Sequence, residues 1–304
     1  REIPVPNGWG IEELLEAISM EAEVIGDRHA IFSKVRPVGM EDDSALVWSS
    51  ATSLEEWDQL VASKASVILC RPDLVGYSPG PEVCVVSVDD PRLAFTRVMR
   101  AFFYQKASGA VDSTASVHPE AVIGDSVSIG PSATVGRCVI GDYSIIHANA
   151  VLYDDVRLGS GVTVHSGVVL GLDGFGFSRN PVGEYEKIEH VGGLLIEDGV
   201  EIFANAVIAR GTLSETRVGR GSKINCLVHV GHNSHVGENV LVGAGAVVCG
   251  SVSLGDDSRI GPGSVVRDHC RVGRASVLGM GAVLTKNLPD GEVWTGVPAS
   301  PGNR

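Results

Sequence analysis

The chain has 304 residues, enough for two domains, with 44% hydrophobic and 5% aromatic residues, 38 glycines and a formal net charge of −13. So acidic a chain lacks the basic surface that non-specific binding to nucleic acid or anionic membrane requires, and no apolar run approaches the ~20 residues of a membrane span. Its six cysteines (Cys70, Cys84, Cys138, Cys226, Cys249 and Cys270) show no CxxC spacing, which excludes a zinc ribbon or disulfide framework and, with no signal peptide in view, predicts reduced thiols in a cytoplasmic protein.

Residues 1–112 read as a small α/β domain. Ile11 to Ala22 spaces its apolar residues as an amphipathic helix does, with glutamates on the outer face. Thr52 or Ser53 is the expected N-cap of a second helix that ends near Lys64, with Leu54, Trp57 and Leu60 on one side. Ser66–Cys70 and Val83–Val88 are expected strands, and Asp90-Pro91 opens a helix through Phe103. The polar stretch Asp112–Ser116 is the expected link to the next domain.

From Val117 the period changes to six. Aliphatic residues fall at Ile123, Ile129 and Val135, skip one residue to Ile140, and resume through Ile146, Leu152, Leu158, Val164 and Leu170. From Val218 to Leu284 every sixth residue is aliphatic, and glycine follows in most hexads. A six-residue period is neither helical nor simply alternating; it predicts a solenoid of short strands, one hexad per flat face. The solenoid is expected over 113–288, followed by a short tail over 289–304. Two interruptions break it. One lies between Leu170 and Ile196 and opens with Gly171 to Phe177 (GLDGFGF); the other is a four-residue insertion around Leu213–Thr216. Loops leaving a rigid solenoid commonly build binding sites.

Three hexads make one coil, so residues eighteen apart stack at roughly 4.8 Å. Discounting the insertion, Arg210, His232, Gly250 and Asp268 form one column, with His269 beside its upper end. A glycine above the histidine would leave room for a substrate and expose backbone N–H groups. Histidine suits a general base because its unperturbed pKa, about 6.5, lies near neutral pH. His229 and His235 flank it as surface or interface residues, and His118, His147, His165 and His190 read as structural.

These features together resemble the left-handed β-helix acyltransferases, in particular the UDP-3-O-acylglucosamine N-acyltransferase (LpxD) family of lipid A synthesis. The resemblance rests on Asp173-Gly174-Phe175-Gly176-Phe177, on Arg210-Gly211-Thr212-Leu213 and on Val230-Gly231-His232-Asn233. It implies a homotrimer with sites between neighbouring β-helices, no bound cofactor or metal, and transfer of an acyl group from a phosphopantetheine thioester to the amino group of a nucleotide-linked sugar. It places the base on His232 and a second active-site histidine on His269. Asn233, Arg210, Asp268 and Gly250 then stand as substrate-binding residues. Trp48 is the one residue of 45–51 able to stack on a base, and the residues from Asp173 to Phe177 line the pantetheine or acyl chain.

The ending Pro289-Asp290-Gly291 … Gly296-Val297-Pro298-Ala299 resembles that of CoA-dependent sugar acetyltransferases, so a short acyl group from CoA is the alternative to an acyl-carrier-protein thioester. A third reading, a metal hydratase of the γ-carbonic-anhydrase type, draws on the cluster His229, His232 and His235, because imidazole suits zinc.

Overall fold

The computed structural model describes residues 8–39, 43–49, 57, 60, 64–74, 83–104, 108–297 and 300–301. The chain folds as two compact units, Arg1–Lys106 and Ala107–Arg304.

In the first unit a five-stranded sheet runs in the order Glu23–Gly26, Cys84–Ser87, Val67–Cys70, Ala45–Trp48, Lys34–Val35, antiparallel at the first pair and parallel thereafter. Alternation along the strands feeds two cores. Leu46, Val67, Leu69, Cys84 and Val86 pack with the helices Ile11–Ile18 and Pro91–Val98. Val47, Ile68, Cys70 and Val85 face the other way, onto Trp57 and Leu60. Burial on both faces is why these strands read as nearly continuous apolar runs. The first helix stops at Ile18, because Ser19 takes a left-handed turn (φ 47°) that leads into the strand Glu23–Gly26. The third expected helix is α-helical over Pro91–Val98, with Asp90 accepting from the Leu93 N–H, and continues as a π-turn over Met99–Phe103. The helix expected from Thr52 to Lys64 lies outside the described residues except at Trp57, Leu60 and Lys64.

The second unit is a parallel β-solenoid whose coils form three long sheets of ten, nine and eight strands. Lys223 pairs with Leu241, Leu241 with Arg259, and Arg259 with Val277, in the three-hexad register. The aliphatic series from Val218 to Leu284 points inward, every member at most 3% exposed, into one continuous core. Each irregularity of the sequence appears in the pairing. Thr134 meets Val151 rather than residue 152, Thr163 meets Glu201 rather than residue 181, and Val207 meets His229 rather than residue 225.

Both ends of the solenoid extend past their expected limits. Val111 bridges Ile129 and the Asp112 N–H donates to the Ile129 carbonyl, so the polar stretch after it is the first corner of the solenoid. At the other end Val293–Thr295 pairs in parallel with Val277–Leu278 and buries Trp294. Pro298 and Ala299 of the expected tail lie outside the described residues. The long interruption also has its own structure: Phe177–Arg179 and Tyr185–Lys187 form an antiparallel hairpin.

Candidate active site

The strand His229–Val230 ends in a corner made by Gly231, His232, Asn233 and Ser234. Asn233 adopts the left-handed conformation (φ 58°), which asparagine tolerates better than most residues. Ser251 and His269 occupy the same conformation in the next two coils (φ 58° and 60°). The coils are tied at this corner: the Ser251 N–H donates to the His232 carbonyl at 2.8 Å, and the His269 N–H to the Gly250 carbonyl at 3.1 Å. His232, Gly250 and Asp268 therefore each precede a left-handed residue, one per coil.

The imidazole of His232 is held between two glycines. A Cβ placed on Gly250 would lie 2.9 Å from both Cε1 and Nε2 of the ring, and one on Gly174 would lie 2.5 Å from Cδ2. Any larger residue at either position would push the ring aside. Asn233 supplies the hydrogen bond that orients it. The Thr212 N–H donates to Asn233 Oδ1 at 2.8 Å, which fixes that end of the amide as the oxygen. Asn233 Nδ2 then donates to Thr212 Oγ1 at 3.1 Å and to His232 Nδ1 at 3.0 Å. A neutral His232 in this arrangement carries its proton on Nε2. Partial burial holds its pKa below the ordinary 6.5, and the neighbouring imidazoles of His190, His269 and His229 add to the effect. The ring is thereby kept neutral near physiological pH.

The two interruptions of the solenoid meet beside this histidine. The Val191 N–H donates to the Thr212 carbonyl at 2.8 Å, and the Gly211 N–H to the Gly193 carbonyl at 3.0 Å. Gly192 has no room for a side chain, since a Cβ there would lie 1.8 Å from the Ser214 carbonyl oxygen. Asp173 pairs with Lys187 across the base of the hairpin. The Lys187 hydrogen bond is the main reason its carboxyl titrates below the ordinary carboxylate range, with the charges of Lys187, His190 and Arg210 adding to it. Phe175 is 90% exposed and meets Phe177 edge-on at 5.0 Å; Phe177 in turn meets Tyr185 at 6.3 Å. So exposed an aromatic is not packing a core, and it leaves an apolar surface at the mouth of the loop.

The other expected site residues are placed as follows. Arg210 is mostly buried, with Nε donating to the Gly192 carbonyl at 2.6 Å and its guanidinium 3.1 Å from the Asp155 carboxylate, so it ties the interruption to the solenoid. Asp268 and His269 are exposed, with His269 Nε2 4.0 Å from the Asp268 carboxylate. Trp48 belongs to the first unit, where its ring packs on Phe95 at 5.9 Å. His229 and His235 are exposed on strands of two different sheets, and among the described residues no group of three His, Cys, Asp or Glu side chains is gathered to hold a metal.

One residue read as structural from the sequence belongs at this centre. His190 lies in the long interruption, is 6% exposed and meets the His232 ring edge-on at 5.3 Å. Its signal was a histidine directly before Val191-Gly192-Gly193, inside a segment that opens with the Gly-Phe-Gly-Phe run.

A parallel solenoid of six-residue repeats, carrying a glycine-flanked histidine where two interruptions converge, defines a hexapeptide-repeat transferase. The profile of the bacterial transferase hexapeptide family (six repeats) matches residues 137–171, 215–250 and 251–286. The chain is 33% identical to the UDP-3-O-acylglucosamine N-acyltransferase of Delftia acidovorans over 94% of its own length and 85% of the relative's. It is 33% identical to the Helicobacter pylori enzyme of the same name, over 81% of this chain and 76% of that one. Among solved structures, the UDP-N-acetylglucosamine acyltransferases of Francisella novicida and Bacteroides fragilis each superpose on 64% of this chain. They cover 70% and 74% of their own lengths, at 26% and 28% identity and TM-scores of 0.58 and 0.56. The chain belongs to the UDP-3-O-acylglucosamine N-acyltransferase family, and is an acyltransferase.

Proposed function

We propose that the protein transfers an acyl group from a phosphopantetheine thioester to the amino group of a nucleotide-linked glucosamine; its relatives are named as N-acyltransferases of UDP-3-O-acylglucosamine. The observation that carries this reading is the His232 imidazole, kept neutral by its surroundings and set between Gly174 and Gly250 where the two interruptions meet. Amide formation from a thioester needs one group to take the proton from the attacking nitrogen and return it to the departing sulfur. In the proposed reaction the substrate nitrogen bonds to the thioester carbonyl carbon while His232 takes its proton. The carbon–sulfur bond then breaks, and the same proton passes to the thiolate. Gly250 leaves the backbone beside the ring uncovered for the carbonyl oxygen. His269, within reach of His232 electrostatically, and Asp268 stand at the open upper end of the column for the sugar or the donor.

The apolar surface of Phe175 and Phe177 suits a long acyl chain, and an acyl-carrier-protein thioester is the proposed donor. The homotrimer, a nucleotide-recognising role for the first unit through Trp48, and a cytoplasmic location belong to the same proposal. Incubation with UDP-3-O-acylglucosamine and either an acyl-carrier thioester or acetyl-CoA, followed by product mass, tests it. The expected product gains one long acyl chain from the carrier. Acetyl transfer alone would shift the donor to CoA, and no transfer from either would overturn the reading.

A further inference from the structure

His190 carries the one buried ring nitrogen at this centre that has no partner. Its Nδ1–H donates to the Ile188 carbonyl at 2.8 Å, so a neutral ring presents a lone pair on Nε2. That Nε2 is sealed from solvent and accepts no hydrogen bond. Such an orphaned acceptor is rare in a folded protein and calls for an explanation. Two glycines give the ring its space: a Cβ on Gly174 would lie 2.7 Å from Nε2, and one on Gly176 3.5 Å from Cε1. The same point above Gly174 lies 2.5 Å from Cδ2 of His232, so that edge of the second imidazole and the orphaned nitrogen border the same glycine, with the two ring centroids 5.3 Å apart.

His232 has the complementary problem. Asn233 donates to its Nδ1, which leaves the proton on Nε2, and a neutral imidazole in that tautomer cannot accept a proton at Nε2. A half-turn of the ring about its Cβ–Cγ bond exchanges the places of Nδ1 and Cδ2, and of Cε1 and Nε2. Because Cε1 and Nε2 are both 2.9 Å from the point above Gly250, the turned ring keeps its packing on that glycine. The turn brings Cδ2–H to the place of Nδ1, 3.0 Å from Asn233 Nδ2, so the ring gives up the Asn233 hydrogen bond and the amide must draw back from it. Asn233 has Thr212 as its other partner on both ends of the amide.

We propose that His190 is the positioning residue for His232: in the reacting state the His232 ring is turned so that Nδ1–H donates to His190 Nε2, freeing the lone pair of His232 Nε2 to act as the base. Ile188 orients His190, His190 orients His232, and each ring nitrogen gains a role. The arrangement follows the general logic of a catalytic histidine held in the productive tautomer by an acceptor on its other nitrogen. The proposal rests on the reading of His232 as the base.

Two variants and a spectrum test it. His190→Asn keeps a side-chain N–H for the Ile188 carbonyl but has nothing at the Nε2 position. Its kcat falls about 10²-fold, with KM for UDP-3-O-acylglucosamine and for the acyl-carrier thioester within about twofold of wild type. His190→Gln returns an acceptor oxygen at the longer reach and restores kcat to within about tenfold of wild type. Wild-type kcat in His190→Asn, or His190→Gln no faster than His190→Asn, overturns the proposal. His232→Ala measured in parallel separates the two levels: if it retains turnover, the base assignment itself fails. If it is inactive while His190→Asn turns over normally, only the role of His190 fails. Nitrogen-15 spectra of the histidine-labelled wild-type protein need no variant to fold. They should show His190 protonated on Nδ1, and a resting His190 protonated on Nε2 would overturn the proposal.

Discussion

Gly250 and His232, one coil apart, are packed backbone against imidazole, so that a methyl group on Gly250 would meet the ring 2.9 Å from Cε1 and Nε2. The regular part of the solenoid thus sets the position of the residue proposed to carry the chemistry.

Gly250→Ala is accordingly expected to displace the ring by a few tenths of an ångström to an ångström without unfolding a coil. Since misplacing a reacting group by ~1 Å can cost about 10²-fold, kcat should drop by one to two orders of magnitude while the thermal midpoint changes little. Steady-state kinetics beside a thermal melt checks this; unchanged kcat would show that the ring does not work from its place on the glycine.

Asn233 does two jobs, and substitution separates them. Asn233→Gly removes the links to Thr212 and His232 but keeps the left-handed turn; Asn233→Ala loses both. Leaving the part-buried Thr212 N–H without its acceptor costs about 1 kcal/mol, and forcing alanine into the turn adds roughly 1–2 kcal/mol. Thermal midpoints should therefore fall in the order wild type, glycine variant, alanine variant. Equal midpoints for the two variants would remove the conformational part of the argument.

The acid limb of the pH–rate profile follows from His232. Its neutral form is the active one, and its surroundings hold the pKa below 6.5. Activity should be intact at neutral pH and be lost as pH falls through that depressed value. The acid midpoint of kcat/KM, which reports the free enzyme, is expected below 6.5; a midpoint above it would mean another group limits the rate.

Phe175 is the clearest exposed contact for an acyl chain. Phe175→Ala should leave stability within about 0.5 kcal/mol, as surface substitutions do. It should raise KM several-fold for a long-chain acyl-carrier thioester and leave a short-chain donor unaffected. Equal effects on both donors would place the phenyl ring against the pantetheine arm instead.

Much of this structure was legible because a fixed period is countable. The inward series from Val218 to Leu284, both interruptions and the stacking of Gly250 on His232 all follow from hexad register. Register places backbones, however, and does not aim side chains. Arg210 sits in the expected corner yet turns its guanidinium to Gly192 and Asp155, and Asp268 and His269 point into solvent. His190 lies in the segment where counting fails, and only the fold of the interruption brings it to His232. The hairpin Phe177–Lys187 was hidden for another reason: its residues are exposed on both strands, so no alternation marks them.

The central claim is that His232 carries the proton in acyl transfer. Its most direct test is the turnover of His232→Ala on UDP-3-O-acylglucosamine with an acyl-carrier thioester, in protein shown by circular dichroism to retain its β structure. Loss of about 10²–10⁴-fold in kcat is predicted, the usual share of a general base; turnover near that of the wild type would contradict the account.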